Sequence, residues 1–276
     1  MAGIRSVYPS LAPAEQKVAY YVLEHPEEVI YASVTQLAEA CGVGESTIIR
    51  FCQSVGFRGY QDLKLALAMQ QREAPGTIQE DIQPDDPLPL VIEKVSYANV
   101  QIIRDTARMV DAGALERAID TLVRARRVEF YGVGASGVTA LDAKYKFLRI
   151  GFVCDAYVDS HLQAMSAATL QPGDVAVGIS HSGSTKDVVD SCRVAARAGA
   201  TVIAITDYKR APITEVAHIT LLTACREKPL GSGTLRSKIA QIHVLDLLWT
   251  GVALRLGERA LEYTRKTAEA VVDKLY

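Results

Sequence analysis

The run Ser180-His181-Ser182-Gly183-Ser184-Thr185 gathers hydroxyl side chains around a glycine, between an apolar stretch over Val175–Ile179 and a helical stretch that starts near Lys186. Hydroxyls beside the free backbone N–H groups of a helix N-terminus make a compact anion site, because unsatisfied donors and the helix dipole both favour negative charge. One phosphate monoester fits such a loop. A second loop, Gly132-Val133-Gly134-Ala135-Ser136-Gly137, follows the apolar run Val128–Tyr131 and opens a helical stretch through Ile150. It matches G-x-G-x-x-G literally, and Asp155 lies about twenty residues on, so a dinucleotide site has to be weighed. A dinucleotide needs a long cleft, however, and leaves the hydroxyls on the other strand end without a role. If both strands are central, Gly134 and Ser136 converge with Ser180, Ser182 and Thr185 on one anion at the carboxyl ends of the strands. Turn chemistry and capping are the bland alternative use of so many serines.

A different chemistry is written near the N-terminus. In Ser46-Thr47-Ile48-Ile49-Arg50-Phe51-Cys52-Gln53, burying Ile48, Ile49 and Phe51 leaves Ser46, Thr47, Arg50 and Gln53 facing outward, with Arg58 and Lys64 nearby. Hydroxyls at the start of a helix reach phosphates or base edges, and an arginine fork binds guanine or phosphate with two hydrogen bonds. The elements that would present these residues are legible too. Ser33 and Gln36 have capping-box spacing, so a helix should begin near Val34. Gly42 supplies a residue able to take positive φ where the chain turns, and Ala38 is small enough for a second helix to cross closely. Leu37, Cys41, Val43, Ile48 and Phe51 fall where a two-helix corner needs apolar wedges, and Glu45–Ser54 becomes the recognition helix of a helix-turn-helix. A helical corner used only for packing is the competing use.

Residues 73–89 contain four prolines, five acids and no basic residue, which discourages helix and packing and reads as a linker. It separates an all-helical domain, residues 1–72, from residues 90–276. There, apolar runs over Val128–Tyr131, Val175–Ile179, 201–205 and Ile219–Leu222 alternate with helical stretches, the signature of a parallel sheet wound with helices. Val91, Val95, Ala98 and Ile102 form one helical stripe ahead of this domain, suited to core packing or to a dimer seam.

Composition narrows the classes. The 276 residues carry a net charge of −2, and residues 1–75 hold six Lys/Arg against eight Asp/Glu. This charge argues against bulk coating of nucleic acid, since non-specific affinity needs many Lys/Arg–phosphate contacts, so any DNA binding must rest on local placement of charge. No apolar run near the length of a membrane span and no basic-then-apolar leader are apparent, so a cytoplasmic, membrane-free protein is expected. Five scattered cysteines without a C-x-x-C pair suggest reduced, buried thiols rather than disulfides or zinc, and no metal or cofactor is expected.

The segments S-T-I-I-R-F-C-Q-S-V-G-F-R-G-Y and I-S-H-S-G-S-T resemble, respectively, the DNA-binding domain and the sugar-isomerase (SIS) domain of the RpiR family of bacterial regulators, with nearly the whole chain covered. The resemblance implies a nucleotide-free α/β domain with a five-stranded parallel sheet, in a dimer or tetramer. It places the phosphate of a sugar on Ser136, Ser180, Ser182 and Thr185, with His161 and Lys238 where such domains contact the sugar. The implied protein is a regulator of carbohydrate metabolism that binds a double-stranded operator and a phosphorylated sugar, as a homodimer or homotetramer. The rival is an aldose–ketose isomerase, which needs a base within about 3 Å of a carbon-bound proton. His161, His181 and Asp159 are the available groups, and none has a sequence-visible partner that would tune it. The fused reader discriminates, because an isomerase gains nothing from a helix-turn-helix.

Overall fold

The helical pattern ahead of residue 72 resolves into α1 (Pro13–Glu24), α2 (Pro26–Tyr31), α3 (Val34–Cys41), α4 (Glu45–Ser54) and α5 (Tyr60–Gln70). The computed structural model describes residue 4 and residues 7–70, 82–225 and 233–274, with backbone only at 70 and 233–235. The capping box forms as read: Ser33 Oγ accepts from Gln36 N (3.1 Å) and Gln36 Oε1 from Ser33 N (2.8 Å). Gly42 ends α3 in the left-handed region (φ 63°) and turns the chain toward α4. Val18, Val22, Ile30, Leu37, Ile48, Phe51 and Leu63 fill the core of this unit. Ala38, also buried, lets α3 and α4 cross closely.

The long helix α6 (Leu88–Met109) follows, and the division between the two compact units of the chain falls within it, after Val100. Of the expected linker, residues 73–81 lie outside the described residues. Its last two residues, Leu88 and Pro89, already belong to α6, because the first turn of a helix needs no N–H from proline.

The second unit starts at Gln101 within α6 and runs α7 (Ala112–Val123), β1 (Val128–Tyr131), α8 (Ala135–Arg149), β2 (Cys154–Tyr157), α9 (Ser160–Ala168), β3 (Val175–Ile179), α10 (Lys186–Arg197), β4 (Thr201–Thr206), β5 (Ile219–Leu222), α11 (Gly233–Leu256, part of this unit from Ser237) and α12 (Glu258–Glu269). All neighbouring strands pair in parallel in the order β2-β1-β3-β4-β5. Alternation along the strands sends Val128, Phe130, Val177, Ile203 and Leu221 into a core shared with α7, α8 and α11. Tyr131, Ala176, Val202 and Ala204 face the other way, against α9 and α10. The result is three layers around a five-stranded parallel sheet. Residues 236–256 of α11 are long and apolar enough for a membrane span by length and composition, which corrects the reading that no such run exists. Ala240, Val244, Leu245, Leu248 and Val252 are buried within the second unit, so one face of this helix packs in its core.

Candidate functional site

The sheet order reverses direction between β1 and β3: from β1 the chain moves outward to β2, then returns past β1 to β3. Ligand sites of open α/β sheets lie at the carboxyl ends of the strands at such a switch point. Tyr131 at the end of β1 is in register with Gly178 near the end of β3, so the loops carrying Ser136 and Ser180 leave the sheet side by side.

The β3 loop is held by backbone and side-chain bonds. Ser180 N donates to Ile205 O (3.1 Å), continuing the ladder. Thr206 Oγ1 and Asp207 N both donate to His181 O (3.1 Å each), and Ile213 N donates to Gly183 O (2.9 Å). Gly183 has φ 62°, and a Cβ there would fall 2.5 Å from Ala211 Cβ and 2.9 Å from Thr206 Oγ1, so only glycine fits. The loop thereby brings Ser180 Oγ to 3.0 Å from Thr185 Oγ1. Thr185 is the N-cap of α10 yet makes no side-chain capping bond, so its hydroxyl is not spent on the helix. The first-turn N–H groups of α10 stand beside it. Ser182 Oγ accepts from Ser184 N (3.2 Å), which leaves its own hydrogen to donate elsewhere.

On the β1 side, Gln241 of α11 joins two elements. Its Nε2 donates to Ser136 Oγ (3.0 Å) and its Oε1 accepts from Thr139 Oγ1 (3.0 Å). Donation into Ser136 Oγ leaves the serine's own hydrogen for another acceptor. Gln241 and Thr206 escaped the sequence reading. For Gln241 a signal existed: it lies three residues after Lys238, hence near it on the same helix face. Lys238 is half-buried on α11, and His161 is exposed in the first turn of α9. That helix is anchored by Gln163, whose Nε2 donates to Gly132 O (3.0 Å) and Tyr157 O (2.9 Å). Ser166 adds a buried link, donating to Glu129 Oε2 (3.2 Å), and burial raises the Glu129 carboxyl above its ordinary range.

Three features bear on the dinucleotide and isomerase readings. A Cβ at Gly132 would fall 2.4 Å from Ser136 O, so this glycine serves the packing of the loop itself. Asp155 is bound by Lys144 Nζ (2.6 Å) and by Ala156 N (2.8 Å) within β2, and is not presented to a ribose. Asp159 is engaged as the cap of α9, accepting from His161 N and Leu162 N (3.0 Å each).

In the helical unit, α4 is turned one residue from the expected phase. Thr47 is only 7% exposed and Ile49 is 38% exposed. Burial of Thr47, Ile48, Phe51 and Cys52 follows the i, i+1, i+4, i+5 stripe of a helix, which Cys52 shifts toward Thr47. Ser46, Arg50 and Gln53 face solvent as expected, and Arg50 Nη2 donates to Thr47 Oγ1 (3.3 Å). The Arg58 side chain is fully presented beyond α4, 3.5 Å from Asp62. Lys64 is a correction: it is 5% exposed and its Nζ donates to Ala32 O (3.0 Å), so it belongs to the interior. Burial pulls its pKa down to about 8.

A helix-turn-helix unit joined to an α/β unit with this loop architecture defines a transcription regulator carrying a SIS domain. The profile described as helix-turn-helix domain, rpiR family, matches residues 1–73, and that of the SIS domain matches residues 121–251. The chain is 40% identical to an HTH-type transcriptional regulator of Caldanaerobacter subterraneus subsp. tengcongensis, covering 98% of this chain and 96% of that one. It is 33% identical to the HTH-type transcriptional regulator HexR of Pseudomonas aeruginosa, over 99% and 95% of the two chains. Vibrio vulnificus NanR, solved as a complex with ManNAc-6P, superposes with a TM-score of 0.86 at 27% identity, covering 99% of this chain and 97% of that one. The chain belongs to the RpiR family of HTH-type transcriptional regulators.

Proposed function

We propose that this regulator binds a specific double-stranded operator through α4 and a phosphorylated sugar through the β1 and β3 loops, and so controls genes of carbohydrate metabolism. It acts in the cytoplasm as a homodimer or homotetramer, without cofactor or metal and without catalysing turnover. The observation that carries the reading is the Ser180–Thr185 hydroxyl pair at the N-terminus of α10, beside the loop whose Ser136 is oriented by Gln241. A compact hydroxyl and N–H cradle suits the dianionic end of a sugar phosphate. The ManNAc-6P complex of the similar NanR supports the same ligand class. His161 and Lys238 contact the sugar. Ser46, Arg50, Gln53 and Arg58 meet the DNA, with Ile49 available to a thymine methyl.

A thermal-shift screen against sugar phosphates and their unphosphorylated sugars tests the effector half, since a ligand that binds only the native state raises the melting temperature. At least one phosphorylated sugar should stabilise the protein while its parent sugar does not. A panel without any phosphate-dependent shift contradicts the reading. Incubation with the stabilising sugar phosphate in D2O should leave its C2 hydrogen unexchanged; enzyme-dependent exchange would promote the isomerase.

A further inference from the structure

Helix α8 buries Ala140, Ala143 and Phe147 against the sheet, yet its opposite side is also apolar. Val138, Leu141, Tyr145 and Leu148 are between 47% and 63% exposed. Their steps of three, four and three residues place them in one stripe with the heptad spacing of a helix–helix seam. The stripe runs beside the edge strand β2 and is extended at its two ends by exposed Val153 and Val158, then by Leu162 on α9. The proximity of α8 to Val158 is fixed by Gly137, where a Cβ would fall 2.9 Å from Val158 Cγ1.

We propose that a second copy of this chain covers this face, with the two α8 helices packed antiparallel about a two-fold axis. The inference rests on the two-copy reading made above and assigns it a surface. Three observations select a second copy. The spacing is self-complementary: an axis near residue 143 sets Leu141 against the partner copy's Tyr145 and Val138 against its Leu148, larger against smaller in both layers. The seven apolar residues of the stripe and its ends are each between 45% and 69% exposed, a contiguous apolar face of the kind that marks an interaction surface. The charges that flank the stripe are mostly paired within the chain. Lys144 pairs with Asp155 (2.6 Å), and Lys146 with both Asp142 (2.7 Å) and Asp246 (2.6 Å). With exposed Arg149, three cations stand against three carboxylates, so the flanks carry no net charge that would repel a second copy. Addition of a strand to β2 is disfavoured, because Asp155 Oδ1 occupies Ala156 N. The seam starts at Val138, two residues beyond Ser136, so the same helix carries the effector hydroxyl and the contact between copies.

The test is sedimentation of the full chain at micromolar concentration, as parent and as Leu141→Glu/Tyr145→Glu. Both positions are exposed, and the two-fold brings four carboxylates onto one seam. The parent should sediment as a dimer or tetramer, and the variant at half the parent mass with an unchanged circular dichroism spectrum. An independent measurement is mild oxidation of Val138→Cys/Leu148→Cys, which should yield a covalent dimer that the parent does not form. A monomeric parent overturns the two-copy reading together with this one. An oligomeric parent whose glutamate variant keeps the same mass, or whose cysteine variant stays uncrosslinked, overturns the α8 seam alone.

Discussion

Ser180 is almost wholly buried, yet its hydroxyl meets that of Thr185 rather than a carboxylate or an amide. Such a pair keeps one hydrogen to spare, and an anion is a partner that uses it. Charge-assisted hydrogen bonds are roughly twice as strong as neutral ones. Replacing Ser180 and Ser182 together by Ala should therefore weaken a phosphorylated sugar by at least ~2 kcal/mol, at about 1 kcal/mol or more for each bond lost. Calorimetric titration of both proteins measures this, with circular dichroism checking the fold; parent-like affinity in the double variant would move the phosphate elsewhere. Lys64 supports a prediction about stability. Its pKa of about 8 in the fold lies below the 10.5 of the free side chain, so between those values the unfolded chain binds more protons. The burial penalty is therefore full below about pH 8, fades as pH rises and is gone above about 10.5, on the order of 3 kcal/mol in all. Lys64→Met should resist denaturant better than the parent at neutral pH, and the gap should close toward pH ~10. A gap independent of pH would contradict a buried ammonium.

At the scale of elements, the loop after β3 depends on one glycine and two neighbouring segments. Gly183→Ala forces a Cβ to 2.5 Å from Ala211 Cβ at a backbone φ of 62°. Relief must come from moving the loop, at a cost on the order of 1–3 kcal/mol. The variant should melt lower and lose phosphate affinity, and because the loop precedes α10, both losses should appear together. Unaltered titration with the sugar phosphate would show that the loop conformation does not matter to binding. The reader helix teaches a related lesson. Its apolar residues Ile48, Ile49 and Phe51 suggested one phase, whereas Cys52 and the methyl of Thr47 complete a better-spaced stripe and leave Ile49 outside. A short helix with an apolar residue on each side of the divide has two near-equal phases from sequence, and the neighbouring helices choose between them.

For the whole molecule, separate units carry the two candidate sites, so a change in one should leave the intrinsic chemistry of the other intact. Arg50→Ala should cost about 1–3 kcal/mol of operator affinity, the worth of a bidentate base contact, with sugar-phosphate affinity unchanged in the absence of DNA. Operator titrations at matched salt test the first half and calorimetry the second; an unaltered operator affinity removes Arg50 from the reader. Coupling between the sites obeys reciprocity. Whatever factor the effector applies to operator affinity, the operator must apply to effector affinity, and a mismatch of those two factors would exclude a simple linked equilibrium.

Local pattern alone determined the helix-turn-helix corner, since capping, a left-handed turn at Gly42 and apolar spacing act within a few residues. It also determined the hydroxyl loop and most of the sheet, because β1, β3, β4 and β5 read as short apolar runs bounded by turns. The strand β2, Cys-Asp-Ala-Tyr, carried no such run: half-exposed at the edge, it is a strand because β1 pairs with it and α8 covers it. The strand count came from family resemblance rather than from residue pattern. Only the tertiary structure showed that Gln241, over a hundred residues from Ser136, orients that hydroxyl. Only it showed that Lys64 is spent inside and that one face of the α11 stretch packs in the core. Each of these depends on which distant surface covers a residue, and burial is a property of the packed chain rather than of any window within it.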